Sequence, residues 1–116
     1  MHPNTTQRID YIEIAATNLA DIERFYTEAF GWKFTDYGPE YTSFADGRLS
    51  GGFFKSDGVR AGSVLVVIFA LDLEASEARV RKAGGTITKE IFRFPGGRRF
   101  HFRDPSGNEL AVWSDR

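Results

Sequence analysis

The amino-acid sequence predicts an α+β fold made of two tandem βαβββ modules that form a curved, partly open mixed sheet around a concave cavity. The main observation is an internal repeat, in which residues 18–31 recur as residues 72–85, 54 positions later. Each copy opens with Asn or Asp, closes with Gly and follows an apolar run that ends in isoleucine. A constant offset at a strand, a helix start and a helix end indicates duplication of one supersecondary unit.

The first module is expected over about residues 8–55. Its first strand, around residues 8–16, places Tyr11 and Glu13 on one face and two isoleucines on the other. The asparagine that follows is a suitable N-cap, and apolar residues then recur at helical spacing up to the glycine. Three short strands are expected to follow, at about residues 32–37, 41–45 and 49–54.

The second module is expected over about residues 62–115, with the same order of elements. Its turn at residues 104–108 has the sequence Asp-Pro-Ser-Gly-Asn, in which Pro presets one backbone angle and Gly admits a positive one. Residues 92–97 form an aromatic and basic segment that has no counterpart of equal length in the first module. We predict that this segment is a loop at the mouth of the cavity.

Composition narrows the class of protein. These 116 residues, 41% of them hydrophobic, are enough for one domain with a real core but too few for two. A net charge of −1 without long runs of like charge argues against broad binding to nucleic acid or membrane. There is no cysteine, no apolar signal core and no run of membrane-spanning length, so a cytoplasmic protein is expected.

Two motifs carry a resemblance that runs over almost the whole chain. Phe25-Tyr26 with Phe30-Gly31-Trp32 follows the first cap, and the Asp-Pro turn lies near the C-terminus. In this the chain resembles the vicinal oxygen chelate superfamily, which includes glyoxalase I, bleomycin-resistance proteins, fosfomycin-resistance proteins and extradiol dioxygenases. The resemblance implies paired βαβββ modules, frequent dimerisation and, in the enzymatic members, a divalent metal on the concave face.

The positions at which this superfamily places its metal ligands carry other residues here. They correspond to Tyr11 on the first strand, Val66 on the fifth, Ala111 on the last, and a glycine at position 51 or 52 on the fourth. A divalent transition metal needs several converging nitrogen, oxygen or sulfur donors. We therefore expect no metal and no other cofactor.

Glu13 and His101 are the candidates for acid–base catalysis. His101 lies on a strand whose neighbouring phenylalanines occupy the opposite face, and a desolvated carboxylate such as Glu13 is able to act as a general base. Two other roles stay open: an ion pair between Glu13 and Arg103, and a new metal site built from Glu13 and His101. The remaining histidine, His2, belongs to a polar N-terminal tail.

These observations favour metal-independent binding of a small organic molecule by a homodimer. The residues expected to line the cavity are Tyr11, Glu13, Val66, His101, Arg103, Ala111 and Trp113. One alternative is a lyase, isomerase or hydrolase that uses Glu13 or His101 for proton transfer. Another is a non-catalytic interaction protein whose cavity is closed and contributes only to stability.

Overall fold

A computed structural model describes residues 9–62 and 64–116 of the chain. Over these residues there are two α-helices and eight β-strands, in the order βαβββ followed by βαβββ. The elements are β1 (Tyr11–Ala16), α1 (Leu19–Phe30), β2 (Lys33–Asp36), β3 (Tyr41–Ala45), β4 (Ser50–Lys55), β5 (Val66–Phe69), α2 (Leu73–Lys82), β6 (Thr86–Phe94), β7 (Gly97–Arg103) and β8 (Glu109–Ser114). The expected first residue of the first strand, at position 8, and His2 lie outside the described residues.

Each module forms its own four-stranded mixed sheet. The strand order is β1-β4-β3-β2 in the first sheet and β5-β8-β7-β6 in the second. In both sheets the strand that precedes the helix pairs in parallel with the last strand of its module, and the other pairs are antiparallel. The prediction of two α+β modules is therefore confirmed.

The repeated helix signals act as the sequence indicates. The side chains of Asn18 and Asp72 each accept a hydrogen bond of 3.0 Å from the backbone N–H three residues later, which satisfies a free donor of the first turn. Gly31 ends α1 in the left-handed conformation, with φ of 74°. The second helix ends at Lys82, two residues before Gly84, whose φ is 105°. No helix among the described residues is long and apolar enough to cross a membrane.

One apolar cluster includes residues of both modules. Phe25 and Phe30 of α1 lie with their ring centroids 5.9 Å and 5.8 Å from that of Phe102 on β7. Tyr26, Phe53 and Phe100 are also fully buried in this cluster. Aromatic rings bury large areas, so this shared core joins the two modules through the helix of the first.

The Asp-Pro turn is a second connection between the modules. Asp104 Oδ1 accepts hydrogen bonds from the backbone N–H groups of Ser106 and Asn108, at 2.9 Å and 3.0 Å. The turn then reaches the end of β1, where Asn108 Nδ2 donates to the Ala15 carbonyl at 2.8 Å and the Thr17 N–H donates to Ser106 Oγ at 3.0 Å. The motif therefore stabilises the junction between the modules.

The prediction of a loop at residues 92–97 is wrong. The strand β6 continues to Phe94, and the ladder with β7 pairs Phe92 with Arg99 and Arg93 with Arg98. Only the turn that contains Gly96, with φ of 113°, lies between the two strands. Alternating aromatic and basic residues here follow the period of a strand, and cross-strand pairing extends the hairpin in place of an irregular loop.

Candidate functional site

The face of the first sheet that does not pack on α1 carries Tyr11 and Glu13, as their alternation with Ile12 and Ile14 predicts. This surface is called the open face of the first sheet. In register, Tyr11 lies beside Ser50 and Glu13 beside a glycine of β4. Of the side chains of β1 that point the other way, Ala16 belongs to the core cluster and Ile14 packs against it.

A tyrosine of β3 lies over this face because the neighbouring strand has a glycine there. The Tyr41 hydroxyl occupies the space above Gly52, so that a Cβ at residue 52 would overlap it. From this position Tyr41 Oη donates to Glu13 Oε2 at 2.9 Å and lies 2.7 Å from Tyr11 Oη. Partial desolvation, together with the hydrogen bonds to Tyr11 and Glu13, raises the pKa of the Tyr41 hydroxyl well above its usual value of 10.0.

A depression of about 580 Å³ opens beside these tyrosines, on the first module alone. It is lined by phenol and hydroxyl groups, one ammonium group and a few apolar atoms: Tyr11, Lys33, Thr35, Tyr37, Tyr41, Ser43, Phe44, Ala45 and Ser50. Its size is within the range of pockets that hold small molecules. The sequence predicts Tyr11 among these residues but does not predict Tyr41 or Lys33. Both lie on strands that pair with each other only in the folded sheet, and the alternation of Tyr41 with the buried Thr42 was the available signal.

The face of the second sheet that carries His101, Ala111 and Trp113 is called the open face of the second sheet. His101 is only 4% exposed there. Its Nδ1 lies 3.0 Å from Glu109 Oε2, so the carboxylate orients the imidazole ring. The other ring nitrogen, Nε2, is buried and has no hydrogen-bond partner among the described residues. Glu109 is not among the lining residues that the sequence predicts, although its alternation with Ala111 and Trp113 on the last strand places it on the same face.

Several aromatic rings also lie on this second face. The Trp113 ring lies 5.3 Å from Phe69 and 6.2 Å from Phe94, measured between centroids. The Arg99 guanidinium lies over the rings of Phe92 and Phe94, at 5.4 Å and 5.5 Å. Cations are attracted to the faces of aromatic rings, so this group of side chains is held together by contacts of its own.

Val66 does not share a face with the other expected lining residues. It pairs in register with Leu110 and packs against the core, whereas its neighbour Val67 pairs with Ala111 on the open face. A shift by one residue moves a strand side chain to the opposite side of the sheet. The expectation that Val66 lines the cavity is therefore wrong, and Val67 has that orientation.

The structure does not bring Glu13 together with His101 or Arg103. Glu13 lies on the first sheet, where its partner is Tyr41, whereas His101 and Arg103 lie on β7 of the second sheet. Arg103 is exposed and faces Glu109 across the ladder. The ion pair between Glu13 and Arg103 does not form, and the candidate residues divide into one group on each sheet.

The residues at the superfamily's ligand positions do not fit a divalent metal. The Tyr11 hydroxyl is hydrogen-bonded to another phenol, Val66 points into the core, and Ala111 offers only a methyl group. Within residues 9–62 and 64–116, no group of three or more His, Cys, Asp or Glu side chains is placed to hold a metal ion. Stable binding of such an ion needs several converging donors.

Solved structures share this fold at low sequence identity. A glyoxalase-related enzyme from Fulvimarina pelagi superposes with a TM-score of 0.81 at 22% identity, covering 93% of this chain and 88% of that one. The lactoylglutathione lyase of Agrobacterium tumefaciens gives 0.72 at 22% identity and covers 93% of both chains. A mutant of the fosfomycin resistance protein of Listeria monocytogenes, complexed with Mn(II) and 1S,2S-dihydroxypropylphosphonic acid, gives 0.81 at 15% identity, covering 92% and 89%. Identities this low indicate a shared fold and leave the reaction open.

Sequence comparison assigns the family. A search of curated proteins finds no match. A family model described as the Glyoxalase/Bleomycin resistance protein/Dioxygenase superfamily matches residues 8–112, which span both modules. This chain therefore belongs to the glyoxalase/bleomycin resistance protein/dioxygenase superfamily.

Proposed function

We propose that this protein binds a small organic molecule, without a metal, in the depression on the open face of the first sheet. The observation that supports this most is the hydrogen-bonded group of Tyr11, Tyr41 and Glu13 at a depression of about 580 Å³. Binding pockets combine contact area with a few placed polar groups. Rigid phenol rings supply both at a low cost in conformational entropy.

The chemistry of the lining indicates the kind of ligand. Tyrosine rings offer flat apolar surface, and the hydroxyls of Thr35, Ser43 and Ser50 adapt as donors or acceptors. Lys33 adds a positive charge at the same depression. A flat molecule with several hydrogen-bonding groups suits this surface best.

Thermal-shift measurements test this function. The protein is screened against aromatic antibiotics, α-oxoaldehyde adducts and small aromatic carboxylates, because ligands that bind the native state raise its melting temperature. We expect a shift that persists in excess EDTA and decreases in Tyr41→Phe and Glu13→Gln. Glu28→Gln is the matched control, since this carboxylate is exposed on α1. A shift that EDTA abolishes would contradict metal-independent binding, and a shift unchanged in both site variants would place the ligand elsewhere.

We also propose that the protein forms a homodimer through the open face of the second sheet. Val67 and Phe69 on this face are 43% and 48% exposed in the single chain. A second copy would remove this apolar area from water. Sedimentation equilibrium should give a dimer for the natural sequence and a monomer for Phe69→Glu, with circular dichroism to show that the variant stays folded. A folded monomer of the natural sequence at micromolar concentration would contradict dimerisation.

His101 and Glu109 favour a second candidate function, acid–base chemistry on the ligand. A carboxylate at Nδ1 and a ring nitrogen at Nε2 that has no partner among the described residues are features of an oriented general base. Because Nε2 is buried, neighbouring side chains must move for a ligand to reach it. If this candidate is right, a bound ligand exchanges an acidic proton with D2O in the presence of the protein, and the rate decreases in both His101→Gln and Glu109→Gln. Equal exchange rates in the natural protein and both variants would leave binding as the function.

A further inference from the structure

We infer that the site on the first sheet selects ligands that donate a hydrogen bond. The hydrogen bonds among Tyr11, Tyr41 and Glu13, here called the phenol network, leave the Tyr11 hydroxyl able only to accept one. A group that bonds to Tyr11 must then carry an O–H or N–H. This inference rests on the proposed function and specifies the class of ligand: a flat molecule with a hydroxyl or amine donor at one end.

The direction of the network follows from the number of protons on each group. An ionised carboxylate only accepts hydrogen bonds, so the 2.9 Å contact between Tyr41 Oη and Glu13 Oε2 uses the Tyr41 proton. A phenol has one proton. The 2.7 Å contact between the two phenols therefore uses the Tyr11 proton, and Tyr41 accepts it.

The position of each group in the sheet maintains this direction of hydrogen bonding. Glu13 and Tyr11 are two residues apart on the same face of β1, and Tyr41 is held above them by the absence of a side chain at Gly52. Hydrogen bonds in a chain polarise one another, so donation from Tyr41 to the carboxylate strengthens donation from Tyr11 to Tyr41. The Tyr11 side chain lies at the edge of the depression and is 43% exposed, where a ligand is able to reach the remaining lone pair of its oxygen.

A second group in the depression has the opposite requirement. The Lys33 ammonium carries donors and no acceptor, so its partner is an acceptor or an anion. A ligand that matches both groups presents a donor to Tyr11 and a carboxylate or carbonyl group to Lys33. Hydroxybenzoates have this combination on one flat ring.

Two size-matched probes test the inference. The affinities of 4-hydroxybenzoate and 4-fluorobenzoate are measured by NMR titration of the full chain, because fluorine replaces the hydroxyl at similar size but removes the donor. One hydrogen bond contributes about 0.5–1.5 kcal/mol net, which corresponds to a preference of about 2- to 12-fold for the hydroxyl compound. Tyr11→Phe should reduce the ratio to about one, and Glu28→Gln, which changes an exposed carboxylate on α1 outside the depression, should keep it.

The outcomes separate this inference from the proposed function. If both acids perturb the resonances of the depression with equal affinity in the natural protein, the selectivity is absent and the binding site stands. If neither acid perturbs them, both the selectivity and the proposed site are overturned for this class of ligand. In Glu13→Gln the amide is able to donate to Tyr41, and a smaller preference for the hydroxyl compound is the expected result.

Discussion

Tyr26 and Asp104 are joined across the two modules: the hydroxyl of Tyr26, on the first helix, donates to Asp104 Oδ2 at 2.9 Å. Tyr26 is fully buried and Asp104 is 4% exposed. The same carboxylate oxygen accepts from Asn108 Nδ2 at 3.1 Å. A buried carboxylate needs such donors, and these hold the turn between β7 and β8 against the first module.

We predict that Tyr26→Phe lowers the free energy of unfolding by about 1.5–3 kcal/mol, because a buried carboxylate loses one donor while the ring still fills its place. Urea denaturation followed by circular dichroism measures the change. Tyr37→Phe removes an exposed phenol and is the control, with an expected change below about 0.5 kcal/mol. A loss in Tyr26→Phe as small as that in the control would show that water replaces the hydroxyl.

The Asp104 carboxyl is predicted to make stability depend on pH. Burial raises its pKa above the usual value of 3.8, although hydrogen bonds from Asn108, Tyr26 and Ser106 act in the opposite direction. A carboxyl with a raised pKa binds its proton more tightly in the folded protein. Its contribution to stability is therefore fully present below the unfolded pKa and is lost as the pH rises through the folded pKa.

The measurement compares the natural protein with Asp104→Asn, because the other carboxyl groups titrate in both proteins. The free energy of unfolding of the natural protein, relative to that of the variant, should decrease as the pH is raised from about 3 to about 7. Urea denaturation at several pH values gives this difference. A relative stability that increases with pH would show that the hydrogen bonds exceed the effect of burial.

Two neighbouring glycines are predicted to have different roles. In Gly51→Ala the new methyl group meets the Ile12 carbonyl and the Phe44 ring, so we expect a loss of about 1–3 kcal/mol in the free energy of unfolding. In Gly52→Ala it meets the end of the Tyr41 side chain, which is able to rotate away. We therefore expect a smaller loss of stability than in Gly51→Ala. Ligand binding should be weaker, because the Tyr41 hydroxyl loses its hydrogen bonds to Tyr11 and Glu13. Thermal shift without and with ligand separates the two effects, and a reversed order would contradict the assignment.

Metal content gives a further prediction. Purified protein should contain far less than one equivalent of Mn, Fe, Co, Ni or Zn per chain, because the ligand positions hold Tyr11, Val66 and Ala111. Elemental analysis after gel filtration in metal-free buffer measures this quantity. Retention of about one metal ion per chain would show a site that these residues do not explain.

Much of the fold follows from short-range features of the sequence. The caps at Asn18 and Asp72, the stop at Gly31 and the alternation around Glu13 each depend on residues within a few positions along the chain. Their repetition at a constant offset predicted two modules, and the structure has both. The same local features predict a loop at the aromatic and basic residues 92–97, because the pairing of two strands is not part of the sequence pattern.

The candidate site depended on long-range contacts. Tyr41 is 28 residues from Glu13, and the two meet because the Tyr41 side chain reaches across the intervening strand β4. Glu109 is 8 residues from His101, and these two meet because β7 and β8 lie side by side. Register also decided that Val67, and not Val66, faces the same way as Ala111. A shift of one residue reverses every side chain of a strand, so spacing from a distant cap does not fix it.

The sequence by itself therefore determined the two modules, their helix ends and the absence of metal-ligating side chains at the superfamily's ligand positions. These features follow from local hydrogen bonding and side-chain identity. The tertiary structure alone decided which groups meet. It placed Tyr11 and Glu13 with Tyr41 on one sheet and His101 with Glu109 on the other, because strand order and register, which arise from packing over the whole chain, set the partners of each side chain.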